Sequence, residues 1–341
     1  MRAAVLTDVE TFELQERPRP DPGPGEVLVR VRDVGICGSD VHYYEHGRIG
    51  DYVVEDELVL GHESAGEVVE PGDGVDLDPG TRVTLEPGVP CGRCAHCRRG
   101  EYNLCPDVEF MATPPDDGAF VEYVAWPADY VYELPEAVST AAGALCEPLS
   151  VCLNACRRGD VGPGDAVLVT GAGPIGMLAA EVARARGATD VLVSDVVPEK
   201  RDRASERGAD AVLDPSEADL AAAVAAHTDG AGADVVIEAS GAPAAIRSTL
   251  DAVRRGGTVV FVGLAGDGEI PLDTHAIIDN QLDVHGSFRF ANTYPAAIDL
   301  LADGAVDVEG IVDFSAPLAD VTAAFDRVRN DPAVVKGMIE V

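Results

Sequence analysis

Lysine is nearly absent from this chain. It occurs only at Lys200 and Lys336, and arginine supplies the other positive charges. Positive charge is scarce altogether, with 60 acidic residues against 25 basic and a formal net charge of -35. No basic patch or stripe is visible. Binding to nucleic acid or to an anionic membrane surface needs one, so neither partner is expected. No uninterrupted apolar run is long enough to span a bilayer. No basic-then-apolar segment at the N-terminus resembles a signal peptide. The expectation is a cytoplasmic protein. Internal repeats and low-complexity segments are also lacking.

What is present starts with size. The chain has 341 residues, of which 46% are hydrophobic. That is too long for one ordinary core and rich enough to build two. The acid is dispersed along ordered-looking sequence, so it is no disordered tail. A densely acidic, lysine-poor surface suits very high salt, where screening suppresses self-repulsion. A halophilic cytoplasm is the expected setting. Eight cysteines could suggest disulfides, but four of them fall in one short run and no secretion signal accompanies them. Metal binding is the better reading.

The first part of the chain reads as a small, irregular, mostly β domain. Short β-rich runs lie at 3–6, 26–32, 57–60, 65–69 and 82–86, divided by Pro- and Gly-rich turns. Within it, Ile36-Cys37-Gly38-Ser39-Asp40-Val41-His42 and Gly61-His62-Glu63 hold a thiol, an imidazole and a carboxylate. Zinc accepts all three, and a site with three protein ligands keeps one position open for catalysis. The catalytic groups of this domain, the Ile36–His42 stretch included, are expected on loops between strands, where side chains converge. Further on, Cys91, Cys94 and Cys97 recur every third residue and Cys105 follows. Four thiolates close a tetrahedral shell, so this metal would be structural. A redox Cys-x-x-Cys pair would leave two of the four unexplained. Residues 139–157 read as helical, with Glu147 in an apolar run. A carboxylate there must be paired, hydrogen-bonded or near a metal. Cys146, Cys152 and Cys156 read as core packing.

The character changes after Gly159. A buried-strand run, Ala166-Val-Leu-Val-Thr, leads into Gly171-Ala-Gly173-Pro-Ile-Gly176 and a helix, and the next strand ends at Asp195. That context gives the glycine motif its meaning. Gly171 permits the tight turn, Gly173 lets a pyrophosphate approach, and Gly176 lets helix and strand pack closely. Asp195 can accept from adenosine ribose hydroxyls and would repel a 2′-phosphate, which favours NAD over NADP. Strands are expected near 211–213, 234–238, 257–262 and 283–287. Helices are expected near 198–207, 216–227 and 243–254. The alternation describes a doubly wound parallel sheet. Helices at 294–302 and 318–329 and a terminal strand from 334 follow.

Taken together these motifs resemble the zinc-dependent medium-chain dehydrogenases, and within them the sorbitol/xylitol (polyol) dehydrogenases. The likeness covers nearly the whole chain. Its most specific pieces are Gly35 to Gly50, Ala112 to Gly118, Glu147 to Val151, Ala155 to Gly159 and Phe288-Arg-Phe-Ala-Asn-Thr-Tyr-Pro295. The resemblance implies an α/β protein: a GroES-like, mostly β catalytic domain over 1–155, a Rossmann NAD-binding domain over 156–287, and a return segment over 288–341. It implies a catalytic zinc on Cys37, His62 and Glu63. Glu147 would be a fourth ligand or would hold zinc-bound water. Substrate contacts map onto Tyr43, Glu147, Arg289 and Phe290. Cofactor contacts map onto Ile175, Asp195 and Lys200, then Val262, Gly263 and Leu264, then Ser287, Phe288 and Arg289. Ser39 and His42 would relay the alcohol proton to solvent, with His42 as terminal acceptor. All four structural cysteines are present, whereas some animal polyol dehydrogenases lack them. Lys200 stands where an arginine is common.

The expected reaction transfers hydride from a secondary alcohol of a polyol to NAD, giving a ketose. Two alternatives remain open. One is a zinc dehydrogenase for L-threonine, 2,3-butanediol or an aldose. The other is a nucleotide-binding module without catalysis, against which the intact Cys37, His62 and Glu63 argue. A homo-oligomer, tetramer or dimer, is expected from the resemblance alone. The charge reading has its own test. Thermal melts in rising potassium chloride should show the midpoint climbing into the molar range. Equal stability and activity in dilute buffer would remove the high-salt inference.

Overall fold

The computed structural model describes residues 1–217, 219–266 and 268–341. By its contacts the chain divides into two units. Met1–Glu147 and Tyr294–Val341 form one, and Pro148–Thr293 forms the other.

The first unit is built on the strand Glu26–Gly35, whose Val27, Leu28, Val29, Val31 and Val34 are all buried. β-branched side chains suit a pleated surface covered on both faces. Glu63–Pro71 pairs with it antiparallel along one edge, followed outward by Arg82–Leu85 and Val131–Glu133. Along the other edge its first half pairs with Tyr123–Pro127 and its last residues with the chain's final strand, Lys336–Glu340. Val312–Pro317 lies parallel beyond that. A smaller sheet joins Thr11–Glu16, Arg2–Asp8 and Leu58–Val59. The register puts Gly35 opposite both Glu63 and Met338. One end of the sheet therefore gathers residues from three distant parts of the sequence.

One expectation is overturned here. Ser39, His42 and Tyr43 do not sit on a loop between strands; they belong to helix α1, Gly38–His46. Cys37 is its N-cap, and Gly47 ends it in the left-handed conformation at φ 65°. The helix shows almost no apolar periodicity, which hides it from a pattern-based reading. Its start was nonetheless marked, because Asp40 at the third helical position accepts from the Cys37 N–H at 3.0 Å. Tyr44 anchors α1 by packing against Phe325, with ring centroids 5.2 Å apart. Phe325 also meets Phe12 and Phe120. Emptying such a site typically costs about 3–5 kcal/mol.

The single helix expected over 139–157 is two helices. α2 covers Thr140–Ala144, capped by the Ser139 side chain, and α3 covers Cys146–Arg158. Pro148 explains the break. Its ring would clash with the carbonyl of Ala144 in one continuous helix, but it is tolerated in the first turn of α3.

The second unit is the expected doubly wound sheet. Its strand order is Ala211–Leu213, Asp190–Ser194, Ala166–Thr170, Ala233–Glu238, Val253–Phe261 and Asp283–Gly286. Every pairing between them is parallel. The connecting helices are α4 (Pro174–Ala185), α5 (Pro198–Glu206), α6 (Leu220–His227), α7 (Pro243–Ala252) and the unforeseen α8 (Thr274–Asp279). The helix expected near 216–227 is α6, and residue 218 of that range lies outside the described residues. Leu168, Leu192, Val236, Val259 and Leu250 are among its buried core. The chain order reverses between Ala166–Thr170 and Ala233–Glu238, where open parallel sheets bind ligands beyond their carboxyl ends.

The chain then returns to the first unit through α9 (Tyr294–Ala302) and α10 (Val321–Asn330). Among the described residues, no helix is long and apolar enough to cross a membrane.

Candidate functional site

Cys37, His62 and Glu63 converge, with one ligand atom from each all within 4.8 Å of one another. Backbone geometry brings them there. Cys37 lies just past the end of the central strand, and Glu63 opens its neighbour, paired with Gly35. Gly35 has to be glycine, because a Cβ there would fall 2.0 Å from Glu63 Oε2.

Two buried residues hold this group. Asp40 is 1% exposed and accepts from the Cys37 N–H and the Gly61 N–H, each at 3.0 Å. Its Oδ1 also lies 3.5 Å from His62 Nδ1, which leaves Nε2 for a metal. Burial disfavours the His62 imidazolium. The Asp40 carboxylate and the Cys37 sulfur outweigh that and hold its pKa well above the usual value. Lys336, 2% exposed, donates to Glu63 Oε1 at 2.7 Å and to the Ile36 carbonyl at 2.9 Å. Burial alone would strip its proton, but Glu63, with Cys37 and Glu147 beyond, raises its pKa above the usual value. Glu63 Oε2 lies 2.5 Å from the same nitrogen. A buried carboxylate held by a single ammonium, with a thiol and an imidazole within 4.8 Å, fits a zinc ligand set.

Glu147 is buried at the start of α3 and is not one of the three converging donors. Ser39 and His42 are half-buried on α1, three residues apart and so on one face. Tyr43 is buried beside them. Burial first, and the nearby His46 second, lower the pKa of His42. The two histidine rings meet edge-on with centroids 4.6 Å apart.

Cys91, Cys94, Cys97 and Cys105 form the second cluster, again within 4.8 Å, and none is in a disulfide. Backbone N–H groups of Arg93 and Cys94 bring Cys91 down to about 7, while desolvation pushes Cys97 up to about 12. Four sulfurs with amides aimed at them fit a closed thiolate shell. The lobe is tied to the sheet through Glu86. This buried carboxylate accepts from Tyr102 in the lobe at 2.8 Å and from Tyr132 at 2.9 Å.

In the second unit the glycine turn is as expected. Gly171 has φ 93°, and a Cβ on Gly176 would lie 1.7 Å from the Gly171 carbonyl oxygen. Gly173 caps α4, and Ile175 is in its first turn. Asp195 accepts from the Ala172 N–H at 2.7 Å and the Val197 N–H at 2.8 Å, which orients its carboxylate. Lys200 is half-buried on α5. Val262 and Gly263 both donate to the Glu238 carbonyl just past Val253–Phe261, and Leu264 is 76% exposed. Ser287 follows the last strand. Phe288 is exposed, Arg289 lies over its ring at 4.9 Å, and Phe290 is buried. All these groups follow carboxyl ends of parallel strands.

A family profile described as zinc-binding dehydrogenase matches residues 174–303, and one for the alcohol dehydrogenase GroES-like domain matches residues 23–136. The sorbitol dehydrogenase of Bacillus subtilis is 44% identical over 96% of this chain and 93% of its own. D-xylulose reductase A of Aspergillus niger is 41% identical over 95% of this chain and 92% of its own. Among solved structures, an Escherichia coli oxidoreductase/dehydrogenase of unknown specificity involved in membrane biogenesis superposes with TM-score 0.96. It is 36% identical, with 99% of this chain and 98% of that one covered. The chain belongs to the zinc-binding dehydrogenases. It is a polyol-type enzyme of that family, with a GroES-like unit and a Rossmann-like unit, and its cofactors are zinc and NAD.

Sequence reasoning about the dehydrogenase missed Asp40, Lys336 and Glu86. Asp40 was legible as the third-position acid after a cap. Lys336 was legible as one of two lysines, inside an apolar terminal strand. Glu86 carried no signal, because its partners are 16 and 46 residues away.

The Lys336–Glu63 pair yields a stability test. Breaking a buried ion pair typically costs about 3–5 kcal/mol. Lys336→Met should lower the melting temperature strongly in chelator and much less with zinc, which would supply the missing countercharge. Equal losses in both conditions would mean that Glu63 does not face the metal.

Proposed function

We propose that the dehydrogenase oxidises a secondary hydroxyl of a xylitol- or sorbitol-like polyol to the ketose, with NAD rather than NADP as acceptor. The convergence of Cys37, His62 and Glu63 carries the reading, since three donors leave a position for the alcohol. Bound zinc would supply a Lewis acid that makes a hydroxyl proton acidic near neutral pH, and bound NAD would accept hydride.

The chain's own residues do the rest. Asp40 orients the thiolate and the imidazole. Lys336 holds Glu63 in place beside the other two donors through its hydrogen bond to Oε1. Ser39 and His42 relay the substrate proton toward solvent, with His42 as terminal acceptor; its lowered pKa suits it to accept. Glu147 serves as a further metal donor or a water-holding carboxylate. Tyr43, Glu147, Arg289 and Phe290 recognise the polyol, and the Arg289 fork offers several donors to hydroxyl oxygens. The Asp195 carboxylate accepts from the ribose hydroxyls and repels a 2′-phosphate. The enzyme works in a high-salt cytoplasm and as a homo-oligomer; dispersed acidity supports the first and the family resemblance the second.

The deciding experiment is a substrate panel in molar salt, read by NAD reduction alongside metal analysis. Two zincs per chain and the highest kcat/KM on xylitol or sorbitol are expected. A better rate on butanediol, threonine or an aldose would refute the polyol assignment. The cofactor claim is tested separately with Asp195→Ala. Losing hydrogen bonds to a charged group costs about 1.5–3 kcal/mol, so the NAD-to-NADP ratio of kcat/KM should fall by about 10- to 100-fold. An unchanged ratio would take Asp195 out of cofactor selection.

A further inference from the structure

The stretch 287–291, just past the last strand, has no regular structure of its own, and Arg289 within it adopts φ 48°, a left-handed conformation unusual for a residue with a Cβ. Something outside the stretch must hold it. The holder is one face of α3. Asn154 Nδ2 donates to the Arg289 carbonyl at 3.0 Å and to Ser287 Oγ at 3.1 Å. Arg157 donates to the Ala291 carbonyl at 3.2 Å, and Arg158 Nε to the Gly286 carbonyl at 3.2 Å. Positions 154, 157 and 158 share a helix face. The Arg289 carbonyl can only accept, so the amide nitrogen of Asn154 must face it. Asn154 is 8% exposed, and water cannot readily replace it.

α3 is itself fixed against the nucleotide helix. The Cys152 thiol donates to the Ile175 carbonyl at 3.3 Å, and the Cys156 thiol to the Ala179 carbonyl at 3.7 Å. The spacing of four residues on α3 meets the same spacing on α4. One helix thus references the 287–289 backbone to the helix that opens at the glycine turn.

We infer that Asn154 is a positioning residue, fixing the backbone of Ser287 and Arg289 so that both side chains are presented to cofactor and polyol. This rests on the proposed role of Arg289. Asn154→Asp preserves shape but removes both donors and turns a carboxylate toward a carbonyl. In the zinc-loaded enzyme, polyol KM should rise about tenfold while kcat changes less than about threefold. NADH affinity, read by fluorescence titration without polyol, should fall about threefold or more as Ser287 loses its partner. In an Arg289→Ala background the same substitution should add nothing to KM. Asn154→Gln, which retains the donor pair, should restore part of both losses. If the Asp variant does not fold, Asn154→Ala carries the same comparison. Unchanged KM, unchanged NADH affinity, or an equal KM rise in the Arg289→Ala background would overturn the inference. If Arg289→Ala alone leaves polyol KM unaltered, the reading of Arg289 fails and the inference with it.

Discussion

A buried ammonium against a buried carboxylate is the contact on which the metal group depends. Lys336 and Glu63 are 273 residues apart in sequence and both lie out of water. Desolvating two charges is costly, and their attraction offsets it only when geometry is good and other hydrogen bonds are satisfied. Here the sheet supplies the geometry. The final strand pairs with the central one so that Gly337 accepts from the Ile36 N–H, which places Lys336 beside both the Ile36 carbonyl and Glu63. The group therefore rests on pairing between strands far apart in sequence, not on a local motif alone.

Asp40 solves a second problem with the same economy. One carboxylate receives the N–H of a metal-ligand residue, the N–H before another, and faces the imidazole itself. It caps α1 and orients His62 at once. The helix start that carries Ser39, His42 and Tyr43 is therefore locked to the Cys37, His62 and Glu63 group. In the second unit Asp195 is held in a comparable way, because two backbone amides fix its carboxylate. In both places an acid is pre-oriented by main-chain donors, which lowers the ordering cost at the moment of binding.

The parts of this architecture legible in sequence were those encoded by short-range spacing. The Cys91–Cys105 run, the Gly171–Gly176 turn with Asp195, and the strand–helix alternation of the parallel sheet each sit within a few tens of residues. α1 escaped because its polar residues lack a helical apolar stripe, and it holds together through a cap and through Tyr44 on Phe325. The break between α2 and α3 is marked by Pro148 alone, inside an otherwise helical run. Asp40, Lys336, Glu86 and Asn154 act through partners far away in the chain or through backbone atoms, and no local pattern announces a partner that only tertiary pairing supplies.

The scarcity of lysine sharpens the meaning of the one that is buried. Lys336 is 2% exposed, so screening and hydration of the solvated surface do not act on it. Its position calls for a compact point charge serving one carboxylate and one carbonyl, on a stem whose Cε would sit 3.1 Å from a Cβ at Gly35. A planar guanidinium brings five donors in a rigid fork, more than this corner has acceptors to satisfy, and each unmet donor would be buried at a cost. Interior chemistry thus overrides the compositional bias at the point where the metal ligands need a fixed, single positive charge.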